Sequence, residues 1–162
     1  MVAREHRVTA SIDAHAPVEV LWDVLTRFSD YGDWLESTTE VLRADDAAVG
    51  ASFEERSRIS GVWMATIRWT VTELQAHRRL AFRGEGVRVL DGLGFAVDLA
   101  AEGDATGLSL TLWYTPRYGV VGSALDVLTR SNVTNDQKRS VRTLATLAER
   151  IAHGDAELPG LD

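Results

Sequence analysis

The sequence predicts an α+β domain in which a curved antiparallel sheet of about seven strands surrounds a long C-terminal helix, with two short helices after the first strand. Three observations lead to this prediction. Apolar and polar residues alternate in seven separate stretches, as they do in strands with one buried face. Short glycine-containing turns separate several of these stretches, which favours hairpins and antiparallel pairing. No helix-breaking residue occurs between Gly122 and Gly154.

The chain opens with one strand and a short helix. In residues 7–13, the apolar Val8, Ala10 and Ile12 alternate with polar residues, which predicts a strand with one buried face. Pro17 follows, and proline suits the first turn of a helix because its missing N–H is not needed there. Apolar residues then recur at helical spacing and predict an amphipathic helix. They are Val18, Leu21, Trp22 and Leu25.

The next segment, residues 28–34, combines turn-forming residues with the aromatic side chains of Phe28, Tyr31 and Trp34. This mixture predicts a short irregular helix, or a loop that is packed by its own aromatic rings. Such a segment could form the rim or lid of a binding site. We therefore expect Trp34 near the mouth of any internal cavity.

Six further strands are predicted from alternating stretches that contain β-branched and aromatic residues. In the clearest of them, residues 62–73, Trp63 and Trp69 share one face with other apolar residues, while mostly polar residues occupy the opposite face. We therefore expect both tryptophans to face inward. The six strands span about residues 37–43, 51–59, 62–73, 79–84, 90–101 and 107–116.

The C-terminal helix is predicted to be roughly 45 Å long at about 1.5 Å per residue, which is enough to cross a whole sheet. An apolar stripe runs along the second half of the helix, and its projection toward the helix N-terminus brings Gln137, Arg130, Thr129 and Asp126 onto the same side. The polar stretch indicates either a bend or exposed first turn, or a polar cavity wall. The apolar stripe comprises Val133, Val141, Leu144, Leu147, Ala148 and Ile151.

Nothing in the 162 residues divides the chain, since it has no internal repeat, low-complexity run or linker. We predict a single domain over residues 1–152. Residues 153–162 contain two glycines and a proline, and we expect them to form a flexible tail.

Charge and residue types exclude several classes of function. Seventeen basic and twenty-four acidic residues give a formal net charge of −7, which disfavours nucleic acid as a partner. Cysteine is absent and the four histidines are scattered, so we expect no metal site. The chain contains no complete glycine-rich motif of the kind that binds dinucleotides, and we expect no cofactor. The N-terminal residues contain no apolar stretch as long as a secretory signal requires, and charged residues interrupt the chain too often to predict a membrane span. We expect a cytoplasmic monomer or homodimer.

Sequence motifs along nearly the whole chain resemble those of a known superfamily. Residues 12–25 resemble its opening strand, its Ala-Pro turn and its helix with an inward tryptophan. Residues 30–34 are similar to its Asp…Trp segment, and residues 49–53 to its glycine-led third strand. The superfamily is that of START-related lipid-transfer proteins, birch-pollen-type allergens and polyketide cyclases/dehydratases (SRPBCC). The most similar subgroup is that of the bacterial polyketide cyclase/dehydratase-like proteins.

The resemblance implies a helix-grip fold with an apolar cavity between the sheet and the final helix. It also implies that the cavity binds a hydrophobic small molecule. Its motifs are structural, and none carries a catalytic residue over to this chain. The chain has Gln-Ala-His at residues 75–77, where the family often has proline, so we expect a different turn there.

The inward faces of the predicted strands provide a candidate wall for the cavity. The faces follow from the alternation along each strand, and the same residues could instead fill a solid core. The tryptophan rings would suit an aromatic or polycyclic ligand. The candidate ligand-binding residues are Trp34, Ser57, Trp63, Ile67, Trp69, Phe82, Phe95, Val97, Leu110, Leu112, Tyr118, Thr129, Val133 and Gln137.

Glu55 is the charged exception on an apolar strand face. If buried beside aromatic rings, its carboxyl would have a raised pKa and could serve as a general acid or base. A shifted register or a position near the sheet edge would instead leave it in water. Tyr114 and Arg130 could orient a ligand carbonyl or hydroxyl, or could be solvated rim residues. Glu55, Tyr114 and Arg130 are the candidate catalytic residues.

Three functions remain open. The first is binding of a hydrophobic small molecule of the lipid, polyketide or isoprenoid type in an internal cavity. The second is a polyketide aromatase/cyclase or dehydratase that uses general acid/base catalysis in the same cavity. The third is a protein-interaction module that uses the outer sheet face, where Arg56, Arg58, Arg68 and Arg88 could collect.

Overall fold

An antiparallel sheet of seven strands and a long C-terminal helix make up most of the described structure. The computed structural model describes residues 4–59, 63–117 and 119–154, with the backbone only for Ile59, Trp63 and residues 119–131. The strands are β1 (His6–Ala14), β2 (Thr38–Ala44), β3 (Ser52–Ile59), β4 (Trp63–Gln75), β5 (Arg79–Glu85), β6 (Leu90–Glu102) and β7 (Ala105–Pro116). The helices are α1 (Val18–Leu25), a 3₁₀ helix (Phe28–Asp33) and α2 (Gly119–Ala152).

The strand order is β1-β7-β6-β5-β4-β3-β2, and every pair of neighbours is antiparallel. Strands β2 to β7 follow one another in sequence, as hairpins do, whereas β1 pairs with the last strand. Strands β1 and β2 are therefore the two edges of the sheet, and α1 and the 3₁₀ helix carry the chain from one edge to the other. The curved seven-stranded sheet around a C-terminal helix confirms the predicted helix-grip fold.

Helix α2 is hydrogen-bonded to strands β1 and β7 and to the segment that precedes β2. On one side, Gln137 Nε2 donates to the carbonyl oxygens of Val8 and Leu110, each at 3.4 Å. On the other, the backbone N–H of Glu36, just before β2, donates to Ser140 Oγ at 2.9 Å. Residues 137 and 140 lie about one turn apart on the helix, so a single turn of α2 is hydrogen-bonded to β1, to β7 and to the segment before β2.

The second half of α2 packs through the apolar stripe that the sequence predicts. Val141, Leu144 and Ala148 are buried, and Leu147 and Ile151 are half-buried against the same core. None of the described helices combines the length and hydropathy that a bilayer crossing requires. The predicted single domain and tail stay predictions, since residues 155–162 lie outside the described chain.

The hairpin between β4 and β5 turns through His77, which has a φ of +64°. This left-handed conformation is uncommon for a residue with a side chain, although histidine adopts it more readily than β-branched residues. The imidazole of His77 lies edge-on to the Trp22 ring with a centroid distance of 6.0 Å. The turn thus has a geometry that a proline at residue 77 could not adopt.

The outer face of the sheet carries opposite charges side by side. Arg43 pairs with Glu54, Glu54 with Arg68, and Arg68 with Glu85 across four neighbouring strands. Directly opposed side chains of opposite charge attract each other across strands. The expectation that Arg56, Arg58, Arg68 and Arg88 gather into one basic surface is therefore wrong at Arg68, which has an acidic residue on either side.

Candidate functional site

The concave face of the sheet is apolar and rich in aromatic rings, as the alternation predicts. Phe82 lies near the centre, with its ring stacked on Phe95 at 4.5 Å and edge-on to Phe53 at 5.5 Å. The Trp69 ring stands edge-on to Phe95 at 4.7 Å. The buried candidates on this face are Ser57, Ile67, Trp69, Phe82, Phe95, Val97 and Leu110, and Leu112 is half-buried.

Glu55 brings a carboxyl group into this apolar surface. Its side chain is 1% exposed, and in register it faces Ile67 of β4. Trp69 Nε1 donates a hydrogen bond to Glu55 Oε1 at 3.0 Å, and the hydroxyl of Thr38 donates to Oε2. The predicted inward register is thus correct, and the alternative of a solvated glutamate near the sheet edge is wrong.

Burial raises the pKa of the Glu55 carboxyl, because transfer out of water penalises the charged form. The hydrogen bonds from Thr38, Trp69 and Ser57 lower the pKa, but they only partly offset the effect of burial. No arginine, lysine or histidine among the described side chains forms an ion pair with this carboxylate. The interior therefore holds a carboxyl group that favours its neutral form more than a surface glutamate does.

Trp34 lies deeper than the sequence indicates. Its side chain is 1% exposed, so the expectation of a position near the mouth is wrong. The ring packs edge-on against Tyr31 at a centroid distance of 4.7 Å, and Tyr31 packs in turn on Phe53 at 4.9 Å. The aromatic side chains of the 3₁₀ helix and of Trp34 are thus packed in the core.

Three other candidates occupy distinct positions. Tyr114 is 7% exposed, and its ring stacks on His6 at 5.4 Å near one end of β7. Gln137 is buried and bonded to the sheet backbone, while Val133, one turn earlier on α2, is half-buried. These residues lie toward the β1–β7 side of the interior, and Glu55 lies toward the β2–β4 side.

Four candidates lie partly or wholly outside the described structure. Tyr118 is not described, and nothing is described of the side chains of Trp63, Thr129 and Arg130. Their roles stay predictions from the sequence.

Thr38 and Ser140 are two buried polar residues of the site that the sequence reasoning missed. Thr38 lies at the first position of β2, opposite Ser57, and irregular pairing follows it along the strand. The bulges interrupt the alternation that identifies inward residues in the other strands. Ser140 lies beside the apolar stripe of α2, next to Val141 and one turn before Leu144, and this position is the signal that could have identified it.

A protein-family model described as "Polyketide cyclase / dehydrase and lipid transport" matches residues 5–149. The chain belongs to this polyketide cyclase/dehydrase and lipid-transport family. This membership confirms the resemblance to the SRPBCC superfamily and its polyketide cyclase-like subgroup. No curated protein matches the chain in sequence.

Solved structures with the family's fold resemble the chain over most of its length. The ZhuI aromatase/cyclase from Streptomyces sp. R1128 has a TM-score of 0.77 at 18% identity, covering 91% of this chain and 95% of its own. A START superfamily protein from Mycobacterium smegmatis has a TM-score of 0.67 at 15% identity, with 93% and 99% covered. The di-domain aromatase/cyclase StfQ of the steffimycin pathway has a TM-score of 0.74 at 11% identity, with 92% and 52% covered. At these identities the likeness establishes the fold.

Outside the interior, the described residues form a surface depression but no candidate metal site. No group of three or more histidine, aspartate and glutamate side chains among the described residues is arranged to hold a metal ion. A depression of about 390 Å³ opens near one end of β1, β6 and β7. It is lined by small and acidic residues such as Ser11, Asp13 and Asp98, and by the aliphatic Ile12, Leu99 and Leu108. It includes none of the candidate residues.

The raised pKa of Glu55 predicts a pH-dependent stability for this family member. Between about pH 4.3, the ordinary pKa of glutamate, and the higher pKa in the folded protein, only the unfolded chain releases the proton. We therefore expect the free energy of unfolding of the wild type to fall with rising pH, relative to Glu55→Gln, and to level off above the folded pKa. The amide can still accept from Trp69 and donate to Thr38.

Urea unfolding of both proteins from pH 4 to pH 9 measures this difference. Glu54→Gln, on the outer face of the same strand, is the matched control for the loss of one carboxylate from β3. Parallel curves for wild type and Glu55→Gln would contradict the raised pKa.

Proposed function

We propose that the protein binds a hydrophobic small molecule of the lipid, polyketide or isoprenoid type between its sheet and helix α2. The observation that carries this proposal is the concave face of aromatic and aliphatic side chains around Phe82, interrupted by one buried carboxyl at Glu55. Ligand sites of this kind are mostly apolar, with a few placed polar groups that orient the ligand. Family membership supports the same function, since the family's description includes lipid transport.

The experiment is native mass spectrometry of the freshly purified protein, followed by titration with the neutral dye Nile red. We expect either a co-purified apolar molecule or a rise in dye fluorescence that saturates at one dye per chain. An added hydrophobic competitor should lower that fluorescence again. Absence of both a bound mass and saturable dye binding would refute the proposal.

A second candidate function is that of a polyketide aromatase/cyclase or dehydratase. The specific observation in its favour is Glu55, a buried carboxyl on the inward face whose pKa is raised by burial, because a carboxyl of this kind can act as a general acid or base. The ZhuI and StfQ proteins, which share the fold, are themselves aromatase/cyclases. Incubation with a reactive poly-β-ketone tests this function, and equal product profiles with and without the protein would rule it out.

The remaining features of this proposal stay predictions from the sequence. They are a cytoplasmic location, a monomeric or homodimeric state, and the lack of a nucleic-acid partner, the last supported by the net charge of −7. The protein-interaction alternative has less support than ligand binding, because acidic residues flank Arg68 on the outer face.

A further inference from the structure

The indole N–H of Trp34 is a buried hydrogen-bond donor that has no acceptor among the described residues. Buried donors are almost always paired, because an unpaired one has lost its hydration without replacement. The polar groups around it are paired. The Tyr31 hydroxyl donates to the carbonyl oxygen of Leu25 at 2.6 Å, and Trp69 Nε1 donates to Glu55. The Trp34 N–H thus differs from its neighbours and requires an explanation.

The position of Trp34 connects this donor to the interior. The Trp34 ring belongs to the same apolar cluster as Phe53, Trp69 and Phe82, which lie on the concave face of the sheet. Two residues later in the chain, the backbone of Glu36 is bonded to Ser140 on α2. Trp34 therefore lies where the 3₁₀ helix, the sheet and α2 meet, beside the volume in which we propose that a ligand binds.

The charge of the interior restricts the ligand further. The buried polar and charged residues among those described are Thr38, Ser52, Glu55, Ser57, Thr106, Gln137 and Ser140, and this set contains no basic side chain. Against the described side chains, a ligand carboxylate would lose its hydration without gaining a counter-charge, and Glu55 would repel it when ionised. A neutral ligand avoids both costs.

We propose that the interior selects neutral hydrophobic molecules that carry a hydrogen-bond acceptor such as a ketone, and that the Trp34 indole N–H donates to this acceptor. The inference rests on the proposed binding function and specifies the class of ligand. It assigns Trp34 the role of a specificity determinant. Apolar molecules without an acceptor, and anionic ones such as fatty acids, should bind less well.

The test uses three naphthalene derivatives of similar size as competitors of Nile red. 2-Acetylnaphthalene carries an acceptor, 2-isopropylnaphthalene has none, and 2-naphthoate is anionic at pH 7. We expect the ratio of affinities for the acetyl over the isopropyl compound to fall about tenfold in Trp34→Phe, since the N–H donor is lost while a smaller aromatic ring remains. The two ligands differ in hydrophobicity, but this difference cancels when their affinity ratio is compared between wild type and variant. Trp113→Phe, on the outward face of β7, is the control and should leave the ratio unchanged.

A second readout does not require the variant to fold. In ¹H–¹⁵N spectra of the wild type, the Trp34 indole resonance should move downfield with 2-acetylnaphthalene and not with 2-isopropylnaphthalene. Variants of the other four tryptophans assign it by elimination. An equal affinity ratio in wild type and Trp34→Phe, or equal shifts with both ligands, would overturn the role of Trp34. Tightest binding of 2-naphthoate would overturn selection for neutral ligands. Failure of Nile red to bind, together with the absence of a co-purified apolar molecule, would instead refute the proposed function, and this inference with it.

Discussion

Phe82→Ala should lower the free energy of unfolding by about 3–5 kcal/mol, the usual cost of removing a buried phenylalanine ring. Phe82 is fully buried, and its ring contacts those of Phe28, Tyr31, Phe53 and Phe95 at centroid distances of 4.5 to 6.1 Å. The substitution removes four aromatic contacts at once, and the rigid sheet on one side of the ring limits how far neighbours can move into the space.

Urea and thermal unfolding measure this effect. For a chain of this length, the loss corresponds to a decrease in Tm of roughly 6–20 °C. Met64→Ala is a suitable control because Met64 is half exposed on the outer face, where substitutions change stability little. A loss below about 1 kcal/mol for Phe82→Ala would show that the ring borders open space rather than packed side chains.

Glu55→Gln should slow cyclisation or dehydration of a poly-β-ketone by about 10²- to 10⁴-fold if the protein is an enzyme of this class. In such a reaction, the carboxylate of Glu55 removes a proton from the carbon between two carbonyls. The resulting enolate attacks another carbonyl carbon, farther along the poly-β-ketone, and forms the new carbon–carbon bond. The alkoxide left on that carbon takes the proton back from the Glu55 carboxyl. Loss of water from the aldol product then forms the double bond. An amide can neither remove nor return that proton.

The measurement is the initial rate of product formation, with Glu54→Gln as the control on the outer face. Tyr114→Phe should have a smaller effect, because this tyrosine would orient a carbonyl without transferring the proton that starts the reaction. A rate for Glu55→Gln equal to that of the wild type would leave the residue a purely structural or ligand-orienting role.

Ligand binding and catalysis make different demands on Glu55. Binding requires only that the carboxyl orient a ligand, whereas catalysis requires that it change its protonation state during turnover. The pH dependence of stability detects its titration independently of any ligand. The two functions can be distinguished with Glu55→Gln and Glu54→Gln by comparing the effect of each substitution on ligand affinity with its effect on the rate of product formation.

The sequence predicts which strand residues face inward more successfully than it predicts the burial of residues outside regular strands. Alternation placed the strand faces correctly, including Glu55 among aromatic residues, because one buried face imposes a period of two on each strand. The same reasoning failed for Trp34 and Thr38. Trp34 follows a 3₁₀ helix and Thr38 precedes bulges in β2, so neither belongs to a regular pattern that sets the direction of its side chain. The pairing of Glu55 with Trp69 and Thr38 also depends on contacts across strands, which no local pattern contains.

The pairing of β1 with β7 has a consequence for how the chain reaches its native state. Val8 lies opposite Leu112, a separation of 104 residues along the sequence. At a synthesis rate of about 5–20 residues per second, roughly 5–20 s pass between the synthesis of β1 and that of its partner β7. Contacts of such long range slow folding, and until they form, an unpaired strand edge is exposed to other chains. The nascent protein should therefore depend on chaperones most strongly during the interval before residue 116 leaves the ribosome.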